Sequence, residues 1–314
     1  MKPWFGLHLP NYTFPDSPPQ QLFERVVAQA KTAEDSGFSL VTVMDHLFQI
    51  GGVGPEDAPM LEAYSTLSAL ARETSKVRLG TLVTGVTYRN PAFLAKTVTT
   101  LDVISGGRAI LGLGAAWNED EHIAFGYDFP PVKERMDRLD DALAIAKGMF
   151  SGDRFSYEGR YSSVDNIIDS PRPIQPTGPK IMVGGGGEQR TLRIAAKYAD
   201  MTHWFASGGL DMLNHKSDVL RGYCTEIGRD FDEIERTMGA PVVPVRTDSE
   251  REAFLARIPA ERRASLTVGS AQQCADALKP FVDAGFVGFT FGNTVFQTPD
   301  QIRAVGETLQ LIGG

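Results

Sequence analysis

Asp45-His46 follows the apolar run Leu40–Met44, and a histidine beside a carboxylate at a strand end can relay protons near neutral pH. On position alone the pair serves equally well as a capped turn. Gly184-Gly-Gly-Gly187 sits between the strand-like run Lys180–Val183 and a helical pattern, Gln189–Lys197. One glycine would make that turn. Four let the backbone approach a ligand closely, and the helix start offers unpaired N–H groups to a phosphate, with Arg190 or Lys180 as cationic help. A Walker-type loop is excluded, because the terminal Lys-Ser/Thr is missing.

Two further motifs imitate chemistry without carrying it. Gly112-Leu-Gly-Ala-Ala-Trp117 follows a strand like a dinucleotide fingerprint, but Trp117 replaces the third glycine and no acidic residue ends the next strand. A Rossmann unit is therefore rejected. Glu119-x-x-His122 has the spacing of half a di-iron carboxylate site, with no second copy in the chain. A solvated helix face is the better reading, and no metal is expected. His8 and His203 lie late in strands, where buried and hydrogen-bonded is the default and a position at a barrel mouth the alternative. Of the strand-end aromatics Trp117, Trp204, Phe205 and Phe291, two belong to the core by expectation. Trp117, Trp204 and Phe205 are assigned to an apolar substrate pocket.

The elements that must position these residues alternate from end to end. Apolar runs at Trp4–Leu9, Leu40–Met44, Val77–Gly85, Arg108–Gly114, Lys180–Val183, Asp200–Phe205, Met238–Val245 and Val287–Phe291 are separated by helical patterns. In the helix Leu22–Asp35, Leu22, Phe23, Val26, Val27, Ala30 and Ala33 trace one face. Pro91 suits a first helical position and Gly106-Gly107 a left-handed stop, so Val77–Gly85, the helix and Arg108–Gly114 read as a right-handed β–α–β crossover. Eight such alternations predict a (β/α)8 barrel, one domain over residues 1–314. Two loops break the rhythm, an insertion at about 152–178 and the stretch Phe48–Pro59. Both are expected to leave from, or reach, the C-terminal face where barrel enzymes keep their sites.

A net charge of -8 argues against nucleic acid or an anionic membrane surface as partner. Cys224 and Cys274 lie far apart with no Cys-x-x-Cys, against a disulfide framework or zinc site. No stretch has the length of a membrane span, and the short apolar start suits a strand better than a signal peptide. A cytoplasmic enzyme acting on a small molecule is the expectation.

The segment Asn90–Arg108, running on into Gly112-Leu-Gly-Ala-Ala-Trp-Asn-Glu119 and Phe125-Gly126, resembles the bacterial luciferase-like monooxygenases. Within them it is most similar to the branch using coenzyme F420, a deazaflavin. The likeness runs over nearly the whole chain and weakens after about Val245. It implies that Asp45 and His46 lie beside the reactive ring with His46 moving the proton. It further implies that Gly184–Gly187 hold the phosphate and that the turn bearing Ala115 and Asn118 lies against the cofactor. It implies a bulge in the third strand with a non-proline cis bond at Leu82–Val83, so that Leu82, Val83 and Thr84 back the ring. By ungapped placement, some sugar-phosphate dehydrogenases of this branch carry a glutamate proton donor where Trp117 stands, so that activity is disfavoured. A homodimer is also implied. The alternatives are an FMN-dependent monooxygenase of the same family and a non-catalytic flavin or deazaflavin carrier.

Overall fold

The apolar runs become the staves of a closed parallel barrel in the computed structural model, which describes residues 2–14 and 17–312. The eight staves are Trp4–Leu9, Leu40–Val43, Arg78–Thr81 continued at Thr84–Gly85, Ala109–Gly114, Lys180–Gly184, Met201–Trp204, Glu235–Gly239 and Phe286–Gly292. Neighbours pair in parallel all the way round, and the Leu79–Ala109 and Thr84–Leu113 pairings close the ring. The expected (β/α)8 barrel is what forms. Asn90 caps the helix Pro91–Ser105 by accepting from the N–H groups of Ala92 and Phe93, and Gly106 ends it at φ 71°.

The third stave is bulged. Gly80 pairs with Ile110 while Thr84 pairs with Leu113, so the third strand spends one more residue than the fourth over the same span. Leu82–Val83 is a cis peptide, as the family likeness implied. The neighbouring strand accommodates this bulge only because it is glycine-rich. A Cβ on Gly112 would lie 2.0 Å from the Thr81 carbonyl oxygen, and one on Gly114 would lie 2.9 Å from a Val83 methyl. The Gly112-x-Gly114 motif is thus a seat for Val83. Below it the barrel lumen is plugged by Leu40, Ile110, Met182 and Met201, on which Leu82 and Val83 pack. That plug is the floor under the site.

One expectation about a strand and one about a loop fail. The run Met238–Val245 divides at Ala240-Pro241: Glu235–Gly239 stays in the barrel, and Val242–Pro244 departs to pair with Thr267–Gly269. Proline lacks the N–H that the barrel ladder would need next. The insertion at 152–178 follows the helix Val132–Phe150, which runs back from the barrel mouth, so it leaves from the opposite face. It forms a hairpin, Phe155–Glu158 with Ser163–Ile167, laid along that helix. The Asp141 carboxylate holds the hairpin turn through the N–H groups of Tyr161 and Ser162, at 2.7 and 3.1 Å.

Candidate active site

A cavity of about 620 Å3 opens at the C-terminal ends of the strands. Of the residues singled out from the sequence, Asp45, His46, Leu82, Val83, Thr84, Ala115, Trp117, Phe205 and Gly184 to Gly187 all line it. Asn118 and Trp204 do not. Asn118 belongs to the turn behind the wall, where its carbonyl oxygen meets His122 Nδ1 at 2.6 Å. Trp204 is 2 % exposed and packs edge-on against Phe286 outside the barrel. The reason is strand alternation: His203 points into the lumen, so the next residue must point out. Phe291 is core as well, against Phe5 and Phe296.

His46 is built into the wall by a partner far along the chain. Its Nδ1 lies 2.7 Å from Glu121 Oε2, and Glu121 is fully buried on the helix Glu119–Phe125. The same oxygen accepts the Tyr88 hydroxyl at 2.6 Å, and the Leu47 N–H donates to the other oxygen. Burial opposes ionisation of Glu121, but these hydrogen bonds outweigh it and hold the carboxyl below the usual glutamate range. The Trp117 ring meets the His46 ring edge-on at 5.6 Å.

Asp45 does not orient His46. Both its oxygens are engaged by Arg89, at 2.6 and 3.0 Å, and Arg89 reaches on to Glu62 at 2.8 Å. Burial works against the Arg89 charge, yet Asp45 and Glu62 together push its pKa up. Tyr64 lies under the guanidinium and donates into the Thr84–Thr81 hydroxyl chain that braces the bulge. Nor is His122 solvated. It is fully buried, stacked on Tyr88 at 4.7 Å, with Nε2 2.6 Å from the Thr87 hydroxyl. The helix turns Glu121 and His122 inward and leaves Glu119 and Asp120 in solvent.

His8 and His203 both line the cavity. Burial holds both well below the ordinary histidine value, His8 at about 4 and His203 at about 3, with His46 adding to the effect on His8 and His8 to that on His203. They are neutral hydrogen-bonding groups at neutral pH, His8 Nδ1 on Thr42 and His203 Nδ1 on Thr237, each at 2.9 Å.

The glycine turn closes the far wall. Gly185 has φ 107°, reachable here only by glycine, and its N–H reaches the His203 carbonyl at 3.2 Å. No protein acceptor meets the N–H groups of Gly186 and Gly187 among the described residues. The cation at this turn is neither of those expected. Lys180 pairs with Glu235 at the other end of its strand, and Arg190 pairs with Asp137. Lys216, from the helix Gly209–Ile227, donates to the Gly186 carbonyl at 2.6 Å and lies 3.4 Å from Glu188.

Residues 4–264 match the family model described as luciferase-like monooxygenase. The chain belongs to that family. An F420-dependent glucose-6-phosphate dehydrogenase from Kineococcus radiotolerans is 30% identical over 304 residues, covering 87% of this chain and 86% of the relative. An F420-dependent hydroxymycolic acid dehydrogenase from Mycobacterium tuberculosis is 33% identical over 178 residues, 56% of this chain and 48% of its own length. An F420-dependent secondary alcohol dehydrogenase, solved with an F420-acetone adduct, has the same fold, with a TM-score of 0.81 at 21% identity over 99% of both chains.

In this luciferase-like chain, Glu121, Tyr88, Arg89 and Lys216 escape a reading of the sequence alone. Glu121 had one available signal, its place one residue inside the Glu119-x-x-His122 motif. Among the described residues no group of His, Cys, Asp and Glu is arranged to hold a metal ion, and no helix is long and apolar enough to cross a membrane.

Proposed function

We propose that this chain is an oxidoreductase working with coenzyme F420, exchanging a hydride with an uncharged, largely apolar alcohol or carbonyl compound. The observation that carries the reading is His46, fixed on the wall of a cavity whose opposite side is a glycine turn at a helix start. The cradle fits such a group. A Cβ on Gly184 would lie 2.7 Å from a Val83 methyl, so that wall can be flat only as glycine. Leu82, Val83 and Thr84 would back the ring, and Gly185 to Gly187 with Lys216 behind them would take the phosphate-bearing tail. When bound, the deazaflavin supplies a carbon that donates or accepts hydride. His46 handles the accompanying proton.

The substrate class follows from what surrounds His46. Among the described residues no lysine or arginine lines the cavity, and His8 and His203 are neutral. A sugar phosphate would find no counter-charge there, so the substrate named for the Kineococcus relative does not suit this pocket. Trp117, Val132, Met136 and Phe205 offer apolar walls instead.

Purified protein titrated separately with F420 and with FMN, then assayed with each reduced cofactor, tests this reading. Tight binding of F420 and weak binding of FMN is the expected result. Micromolar affinity for FMN with no binding of the deazaflavin would overturn it in favour of an FMN monooxygenase. F420 binding without turnover on any neutral alcohol or ketone would point to a carrier.

A further inference from the structure

Glu121 accepts three hydrogen bonds: Tyr88 O–H and His46 on Oε2, and the Leu47 N–H on Oε1. An ionised carboxylate only accepts. His46 Nδ1 must therefore carry the proton in that contact, which puts the neutral ring's lone pair on Nε2, an atom with no protein partner among the described residues. Asp45, the carboxylate adjacent in sequence, is saturated by Arg89 and does not compete for the ring. We infer that Glu121 and Tyr88 are positioning residues that lock His46 in one tautomer, so that Nε2 is the atom exchanging a proton with substrate.

The catalytic half of this inference rests on the oxidoreductase reading above. In the oxidising direction the substrate O–H breaks and its proton passes to Nε2. A bound oxidised coenzyme would supply the acceptor for the hydride that leaves the carbinol C–H with that bond's electron pair, and a C=O bond would form. The resulting imidazolium then donates from both nitrogens, Nδ1 to Glu121 and Nε2 toward the carbonyl oxygen. In the reducing direction Nε2–H returns the proton. Groups facing His46 from neighbouring elements are Glu121 and Trp117, Tyr88, the neutral His8 on the first strand, and the Asp45–Arg89 pair. Among the described residues Glu121 is the one carboxylate bonded to the ring.

Long-range 1H–15N spectra of the full chain labelled at histidine, without cofactor, test the tautomer directly, with His46→Gln assigning the signal. The wild type is expected to show its neutral ring in the single Nδ1–H form. Glu121→Gln keeps the side-chain shape and removes the charge. The amide oxygen is a weaker acceptor than the carboxylate, so the neutral His46 ring should then show a mixture of Nδ1–H and Nε2–H forms. With a substrate in hand, kcat should drop by roughly 10²-fold or more with its pH profile displaced, while coenzyme affinity stays. A wild-type spectrum showing the neutral ring with its proton on Nε2, or a folded Glu121→Gln that keeps the single Nδ1–H form, overturns the inference. The wild-type spectrum decides even where the variant does not fold. Failure of the coenzyme reading would appear separately, as absent F420 binding by a protein with the stated tautomer.

Discussion

His46 and Glu121 stand 75 positions apart in the chain, and their side chains meet at 2.7 Å in the cavity wall. The histidine lies just past the second strand, whereas the glutamate sits on a short helix after the fourth. The barrel makes the contact by bringing the exits of strands two, three and four together. Tyr88, on the loop after the third strand, completes it from the side.

Replacing His46 by alanine should separate chemistry from binding. Turnover should fall by roughly 10²-fold or more if the ring handles the proton, with coenzyme affinity nearly unchanged. Steady-state rates set beside a direct binding titration give both numbers. Wild-type kcat in this variant would reduce His46 to a structural role.

Stability should depend on the two buried neutral histidines. Burial lowers His8 to about 4 and His203 to about 3 from an ordinary 6.5. Between those values the unfolded chain binds protons that the folded chain refuses, so stability rises with pH there. The contribution is whole above about pH 6.5 and drains as pH falls through about 4 and then about 3. At one pH unit per ~1.4 kcal/mol, each histidine costs about 2–3 kcal/mol by pH ~4.5. Thermal melts from neutral to mildly acid pH should show a steep loss in wild type and a shallower one in His8→Asn/His203→Gln. Equal slopes would place the acid sensitivity elsewhere.

How much of this was readable beforehand depends on the range of the interaction. Most strands, the crossover helices, and the helix start at Pro91 with its stop at Gly106 are local features written in periodicity and in single residues, and they formed where expected. The Glu121 contact is long-range, and the helix carrying it is too short for periodicity to show which face is buried. Lys216 reaches the glycine turn from 30 positions away, on a helix that reads as an ordinary solvated one. Trp204 is different, because the information was local. A histidine facing the lumen at 203 obliges its neighbour to face the helices, and aromatic character outweighed that parity in the reading.

That parity has a consequence. Trp204 is buried with its Nε1 lacking a partner among the described residues, so Trp204→Phe removes an orphaned donor along with some packing volume. The loss in stability should be modest, roughly 1–3 kcal/mol, because overlap with Phe286 is partly retained. Coenzyme affinity and turnover should stay at wild type. A large change in either with an intact fold would return Trp204 to the site.

The glycines of the site divide into two kinds, and paired substitutions should show it. Gly112 has no room: a Cβ would come within 2.0 Å of the Thr81 backbone oxygen, so Gly112→Ala must force the third and fourth strands apart. Gly185 has room, its nearest neighbour being a Thr191 methyl at 3.5 Å, but its φ of 107° excludes a β-branched residue. Gly185→Val should therefore reshape the turn locally, weakening F420 binding by roughly tenfold or more, at a cost in stability of about 1–3 kcal/mol. Gly112→Ala should lower the melting temperature more, because the clash is backbone against side chain inside the barrel wall. Melting curves and F420 titrations on both variants check this. Unchanged coenzyme affinity in Gly185→Val would put the phosphate somewhere other than the glycine turn.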